Sequence, residues 1–93
     1  MTVEFLPQAR TEWAEAISFY NEQRSNLGYE FAIEIDRTVD RIRQHPHAWT
    51  LIAKRTRRAL VDRFPYGILY YVHEDVIVVT AVMNLRRKPR ASD

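Results

Sequence analysis

Apolar residues recur at two different spacings along this chain. Over residues 8–24, Ala9, Trp13, Ala16, Ile17 and Tyr20 follow one another at steps of four, three, one and three. That is one stripe of an amphipathic helix. Pro7 suits an early helix position, where its missing N–H would have no partner in any case. Glu12, Glu15 and Glu22 lie mostly off the stripe and read as surface acids. The turn residues of Arg24-Ser-Asn-Leu-Gly28 break the pattern. A second helix is predicted from about 28 to 44, with Phe31, Ile35, Val39 and Ile42 as its stripe and Ala32 and Thr38 alongside. Asp36, Arg37, Asp40, Arg41 and Arg43 make its charged outer face, and Pro46 stops it. The short join predicts an antiparallel helical hairpin.

Elsewhere the period is two. Residues 2–6 alternate over a short strand that ends at Pro7, and residues 57–63 read as a half-exposed strand broken by Phe64-Pro65. Residues 67–73 and 76–83 are apolar throughout, as central strands are, and His73-Glu74-Asp75 joins them as a hairpin turn. The order β-α-α-β-β-β predicts a two-layer α+β fold. A helical hairpin packs through Trp13, Ile17, Phe31 and Ile35 on one face of a mostly antiparallel four-stranded sheet. The other face is left partly open, with basic strand residues projecting from it.

Composition narrows the class. Ninety-three residues, 46% hydrophobic and 28% charged, make one domain over 1–93. With no cysteine there is no disulfide scaffold, thiolate zinc site or cysteine nucleophile. Met-Thr-Val-Glu-Phe lacks the basic start and apolar run of a signal peptide, and no wholly apolar run, Val76 to Val79 included, approaches the length of a membrane span. A cytoplasmic protein with no membrane partner is expected.

Charge is divided unevenly. Residues 1–53 carry five Arg against eight Asp/Glu, whereas residues 54–93 carry nine Lys/Arg against four Asp/Glu. Arginine's planar fork suits phosphate and carboxylate, so the second half favours a polyanion or an acidic peptide. Strand alternation sends Arg57 and Arg58 to opposite faces, and likewise Tyr70 and Tyr71. A helix-facing arginine would pair with a helix acid; an open-face one would be free for a partner. His45 and His47 flank Pro46 without a third ligand nearby, so no metal site and no cofactor are expected.

These features together resemble the ParE/RelE superfamily, toxins of bacterial type II toxin–antitoxin modules, and the resemblance is closer to ParE. It runs through Pro7-x-Ala9, the Tyr20 region and His45-Pro46. It is strongest in Arg57-Arg58-Ala-Leu-Val-Asp-Arg63-Phe64-Pro65-Tyr66-Gly67-Ile-Leu-Tyr-Tyr, and it closes with Ala81-Val82 and then Arg86-Arg87-x-Pro89. The resemblance implies a cognate antitoxin, ParD-like or RelB-like, whose C-terminal segment is disordered alone and folds along the toxin. It implies a large cellular target, DNA gyrase or the ribosome, rather than a small-molecule ligand. It points to Arg57, Arg58, Tyr66, Arg86, Arg87 and Lys88 as target- or antitoxin-binding residues.

The superfamily contains both mRNA endonucleases and gyrase poisons. Metal-free RNA cleavage needs a base, an acid and cations. Arg57, Arg86 and Arg87 supply the cations, and Tyr70 is the weak candidate for an acid. RelE-like nucleases commonly carry a tyrosine or histidine near the C-terminal end, but nothing after Met83 is either. Many relatives have His where this chain has Asn84, and Asn titrates nowhere near neutral pH. The expectation is therefore a gyrase inhibitor. A ribosome-dependent mRNA endonuclease and a non-toxic basic nucleic-acid-binding module are the alternatives.

Overall fold

The computed structural model describes residues 1–87. Its elements are β1 (Thr2–Phe5), α1 (Pro7–Gln23), α2 (Leu27–Gln44), β2 (Thr50–Leu51), β3 (Arg57–Leu60), β4 (Tyr66–His73) and β5 (Val76–Asn84). The helical hairpin and both long strands follow the hydrophobic spacing. Two features of the sheet do not. It has five strands, not four, in the order β1-β5-β4-β3-β2. It is also mixed: β1 runs parallel to β5, with Thr2 beside Val76 and Phe5 beside Val79. β2 is a two-residue edge paired to Arg58 and Arg57, too short to carry a period of its own.

The strand predicted over residues 57–63 also stops early. Pairing ends at Leu60, opposite Gly67, and the chain turns back through Arg63, whose φ of 72° is left-handed. A residue at positive φ leaves the strand region, so the alternation of residues 61–63 does not become ladder.

The core lies between the helices and one face of the sheet. Ala9, Ala16, Phe31, Ile35, Val39 and Ile42 meet Ala59, Ile68, Tyr70, Ile77, Val79 and Val82 there. A bulge carries β5 through that contact. Tyr70 is opposite Val79 but Leu69 is opposite Ala81, so Thr80 has no partner and the parity of β5 shifts by one. Val79 and Val82 therefore both face the helices. Trp13 stacks on Phe5 at 5.1 Å between ring centroids, which seats the start of α1 against β1.

The helices cross closely at Gly28. A Cβ there would lie 2.3 Å from the carbonyl oxygen of Ile17, and the Gly28 amide donates to the Asn21 side-chain oxygen at 2.8 Å. Only a residue without a side chain permits that approach.

Candidate interaction surfaces

Aromatic residues join the helices to the β3–β4 turn. Tyr20 lies 4.9 Å from Phe64, and Phe31 lies 5.1 Å from Phe64 and 4.9 Å from Tyr66 between ring centroids, all in edge arrangements. Such contacts stabilise beyond the area they bury. Ion pairs hold the same turn from outside. Arg63 donates to Glu30 at 2.7 Å and lies 3.7 Å from the carboxylate of the buried Glu34, while Arg24 also reaches Glu30. The hydrogen bond from Arg63 holds the Glu30 carboxyl below its ordinary pKa, and Glu30 in turn raises that of Arg63. Glu34 sits beside the apolar stripe of α2 and accepts from Arg37, one turn on, at 3.2 Å; spacing alone gave no sign that a turn 29 residues away would bring it a second cation.

Two grooves open beside α1 and meet at Asn84. One, of about 210 Å³, is lined by Glu12, Glu15, Phe19, Tyr66, Asn84 and Arg87 among others. The other, of about 560 Å³, is lined by Phe19, Tyr20, Phe64, Pro65, Asn84 and Arg86 among others. Exposed Phe19 lies between them. Asn84 accepts the Arg86 amide through its side-chain oxygen at 2.9 Å, which shapes the turn after β5. Burial raises the Tyr20 pKa, with a further rise from Tyr66 and an opposing effect of Arg86. Glu12 is not a free surface acid: one of its oxygens accepts the Val82 amide at 2.9 Å.

The structure divides the basic residues that sequence had grouped. Arg57 lies on the helix side of the sheet, opposite Tyr70, and donates to the carbonyl of Trp49 at 2.7 Å. The Tyr70 hydroxyl donates to the carbonyl of Pro46 at 2.7 Å, and burial raises its pKa. Arg57 and Tyr70 thus fasten the loop after α2, the segment that contains Trp49. Arg58 points to the open face and takes no helix acid as a partner. Arg86 and Arg87 line the α1 grooves, so they do not join Arg58. Tyr66 is 6% exposed and lines the smaller groove. His73 is exposed at the hairpin turn, and His45 and His47 are exposed in the loop. Lys88 and Pro89 lie outside the described residues. Among the described residues no cluster of His, Asp and Glu has the makings of a metal site, and no helix is long and apolar enough to cross a membrane.

This arrangement has counterparts. The chain is similar over its length to a solved structure of the chromosomal ParDE TA system from P. aeruginosa. The TM-score is 0.82 at 12% identity, covering 92% of this chain and 97% of that one. At that identity the likeness is one of fold. No curated protein sequence matches significantly. The family comparison covers nearly the whole chain: residues 3–89 match the ParE toxin of the type II toxin–antitoxin system parDE. The chain belongs to the ParE family of type II toxins, and a cognate antitoxin is its implied partner.

Proposed function

We propose that this toxin acts in the cytoplasm by binding DNA gyrase and inhibiting it, and that a ParD-like antitoxin neutralises it. Inhibition by binding needs a shaped, charged surface and no chemistry of its own. The grooves beside α1 offer one, with exposed Phe19 lining both, Arg87 in one and Arg86 in the other. The observation that carries the inhibitor reading over nuclease activity is Asn84, which lines both grooves, beside Arg87 in one and Arg86 in the other, and has no proton to exchange near neutral pH. Tyr70, the weak candidate acid, has its hydroxyl committed to Pro46 on the core side of the sheet.

Expressing the chain without its antitoxin, while scoring DNA-damage response against translation arrest, tests this reading. Induction of the damage response before any fall in protein synthesis is expected. Immediate translation arrest with codon-dependent mRNA cleavage would replace the gyrase assignment with a ribosomal one.

A further inference from the structure

The two arginines beside α1 stand in different surroundings. Arg87 shares the smaller groove with Glu12 and Glu15. The larger groove has no carboxylate among its lining residues. Phe19, Leu27, Phe64 and Pro65 give it apolar walls, and Arg63 and Arg86 are its charged members. Arg63 is committed, donating to Glu30 at 2.7 Å and lying 3.7 Å from Glu34. Among the described residues no carboxylate lies within ion-pair distance of Arg86. The turn holds Arg86 by its backbone N–H, which donates to the Asn84 side-chain oxygen at 2.9 Å, and the residue is exposed. Its charge nevertheless reaches the groove wall, where it opposes the effect of burial on Tyr20. Phe19 meets Tyr20 edge-on at 5.2 Å between ring centroids, yet stays 47% exposed.

We infer that the larger groove is the specificity site of the toxin: it seats one large apolar side chain of the gyrase against Phe19, Leu27 and Phe64, and Arg86 takes a carboxylate next to that side chain. The identity of the occupant rests on the gyrase reading above; its chemistry follows from the groove. An exposed, unpaired guanidinium beside apolar walls favours an anion, and its planar fork matches a carboxylate through two parallel hydrogen bonds. A volume of about 560 Å³ admits a side chain of anchor size. Anchors seated in such pockets carry most of the energy of an interface. In the smaller groove Glu12 and Glu15 oppose an anion approaching Arg87, so Arg87 contributes less. A nucleic-acid backbone would satisfy Arg86 but leave Phe19, Leu27 and Pro65 against water.

Half-inhibitory concentrations of purified variants in gyrase supercoiling rank these positions. Phe19→Ala and Arg86→Ala should each raise the value about tenfold or more, the loss typical of an interface anchor. Phe19→Leu keeps apolar bulk and should restore most of that loss. Arg86→Ala leaves the backbone bond to Asn84 in place, so the turn is retained. Arg87→Ala should cost clearly less than Arg86→Ala. Tyr29→Ala, at a position 67% exposed on α2, is the control and should match the wild type. Binding to gyrase without DNA should follow the same order. A wild-type chain that fails to inhibit overturns the gyrase reading and this site with it. Wild-type inhibition by Phe19→Ala or Arg86→Ala overturns the site alone. Equal losses at 86 and 87 overturn the choice of groove. Dependence on Arg86 that appears only when DNA is bound assigns the anion to a phosphate and overturns the carboxylate.

Discussion

The side chain of Glu12 on α1 accepts the backbone N–H of Val82 on β5 at 2.9 Å. β1 pairs with β5 only as far as Val79, so this edge of β5 has no strand beside it at Val82. A helix carboxylate satisfies the amide that a sixth strand would otherwise satisfy. Gln8 donates to the other oxygen of Glu12 at 3.3 Å, which steadies the carboxylate.

Glu12→Ala should therefore destabilise the fold by about 1–3 kcal/mol, the cost of leaving a partly buried donor without its acceptor. Glu12→Gln keeps an acceptor oxygen and should recover most of that loss. Glu15→Ala, one turn further along α1 and exposed, should change stability by no more than about 0.5 kcal/mol. Urea unfolding of the three variants checks the order. Equal effects at 12 and 15 would mean that the Val82 contact contributes nothing.

Tyr70 and Tyr71 are adjacent in sequence and opposite in surroundings. Tyr70 is fully buried and bonded to Pro46, whereas Tyr71 lies half-buried under Arg55 on the open face. Tyr70→Ala should cost about 3–5 kcal/mol, the range for truncating a large core aromatic. Tyr71→Ala should cost much less. Thermal unfolding monitored by circular dichroism separates them, and equal large losses would require a covering layer on both faces.

The glycine at the helix crossing is sensitive to a single methyl group. Gly28→Ala places a Cβ against the Ile17 carbonyl, which is backbone and has no rotamer by which to move aside. The helices must separate, at about 1–3 kcal/mol for an overpacked contact. Gly67→Ala, by contrast, meets the flexible stem of Arg58 and the end of Leu85. Its cost should be smaller, and denaturant midpoints for the pair test the contrast.

The turn that presents Phe64 and Tyr66 should loosen in acid. Arg63 and Arg24 hold the Glu30 carboxyl below its ordinary pKa. A lowered folded-state value contributes stability that is present in full above the ordinary carboxylate range and is lost as pH falls through the depressed value. The site is exposed and screened by solvent, so the effect is local and modest. Hydrogen exchange of residues 61–66 across a pH series should rise beyond its intrinsic pH dependence in the wild-type chain. Arg63→Gln should remove that excess. An unchanged profile in the variant would show that the ion pair does not hold the turn.

The helices were legible because Ala9, Trp13, Phe31 and Ile35 repeat over four turns or more, long enough for a period to be read. β2 was not, because two residues carry no period and its pairing with Arg57 and Arg58 exists only once the chain has folded back. The run 76–83 is apolar at every position but Thr80, so no alternation showed that a bulge at that residue changes which residues face the core. Alternation required Arg57 and Arg58 to diverge but left the choice between faces open. The Trp49 carbonyl marks Arg57 as the helix-side member, a contact visible only in three dimensions. Glu12 was misread for the same reason, since helical spacing places it off the stripe and its partner lies 70 residues away.

Gyrase supercoiling by the purified enzyme, in the presence of this chain, tests the central claim most directly. The wild-type protein should inhibit supercoiling, and prior addition of the co-expressed antitoxin should relieve the inhibition. Arg86→Ala with Arg87→Ala, at exposed positions in the α1 grooves, should weaken inhibition while leaving the fold intact. Undiminished supercoiling at every toxin concentration, together with codon-dependent cleavage of mRNA on programmed ribosomes, would contradict the account.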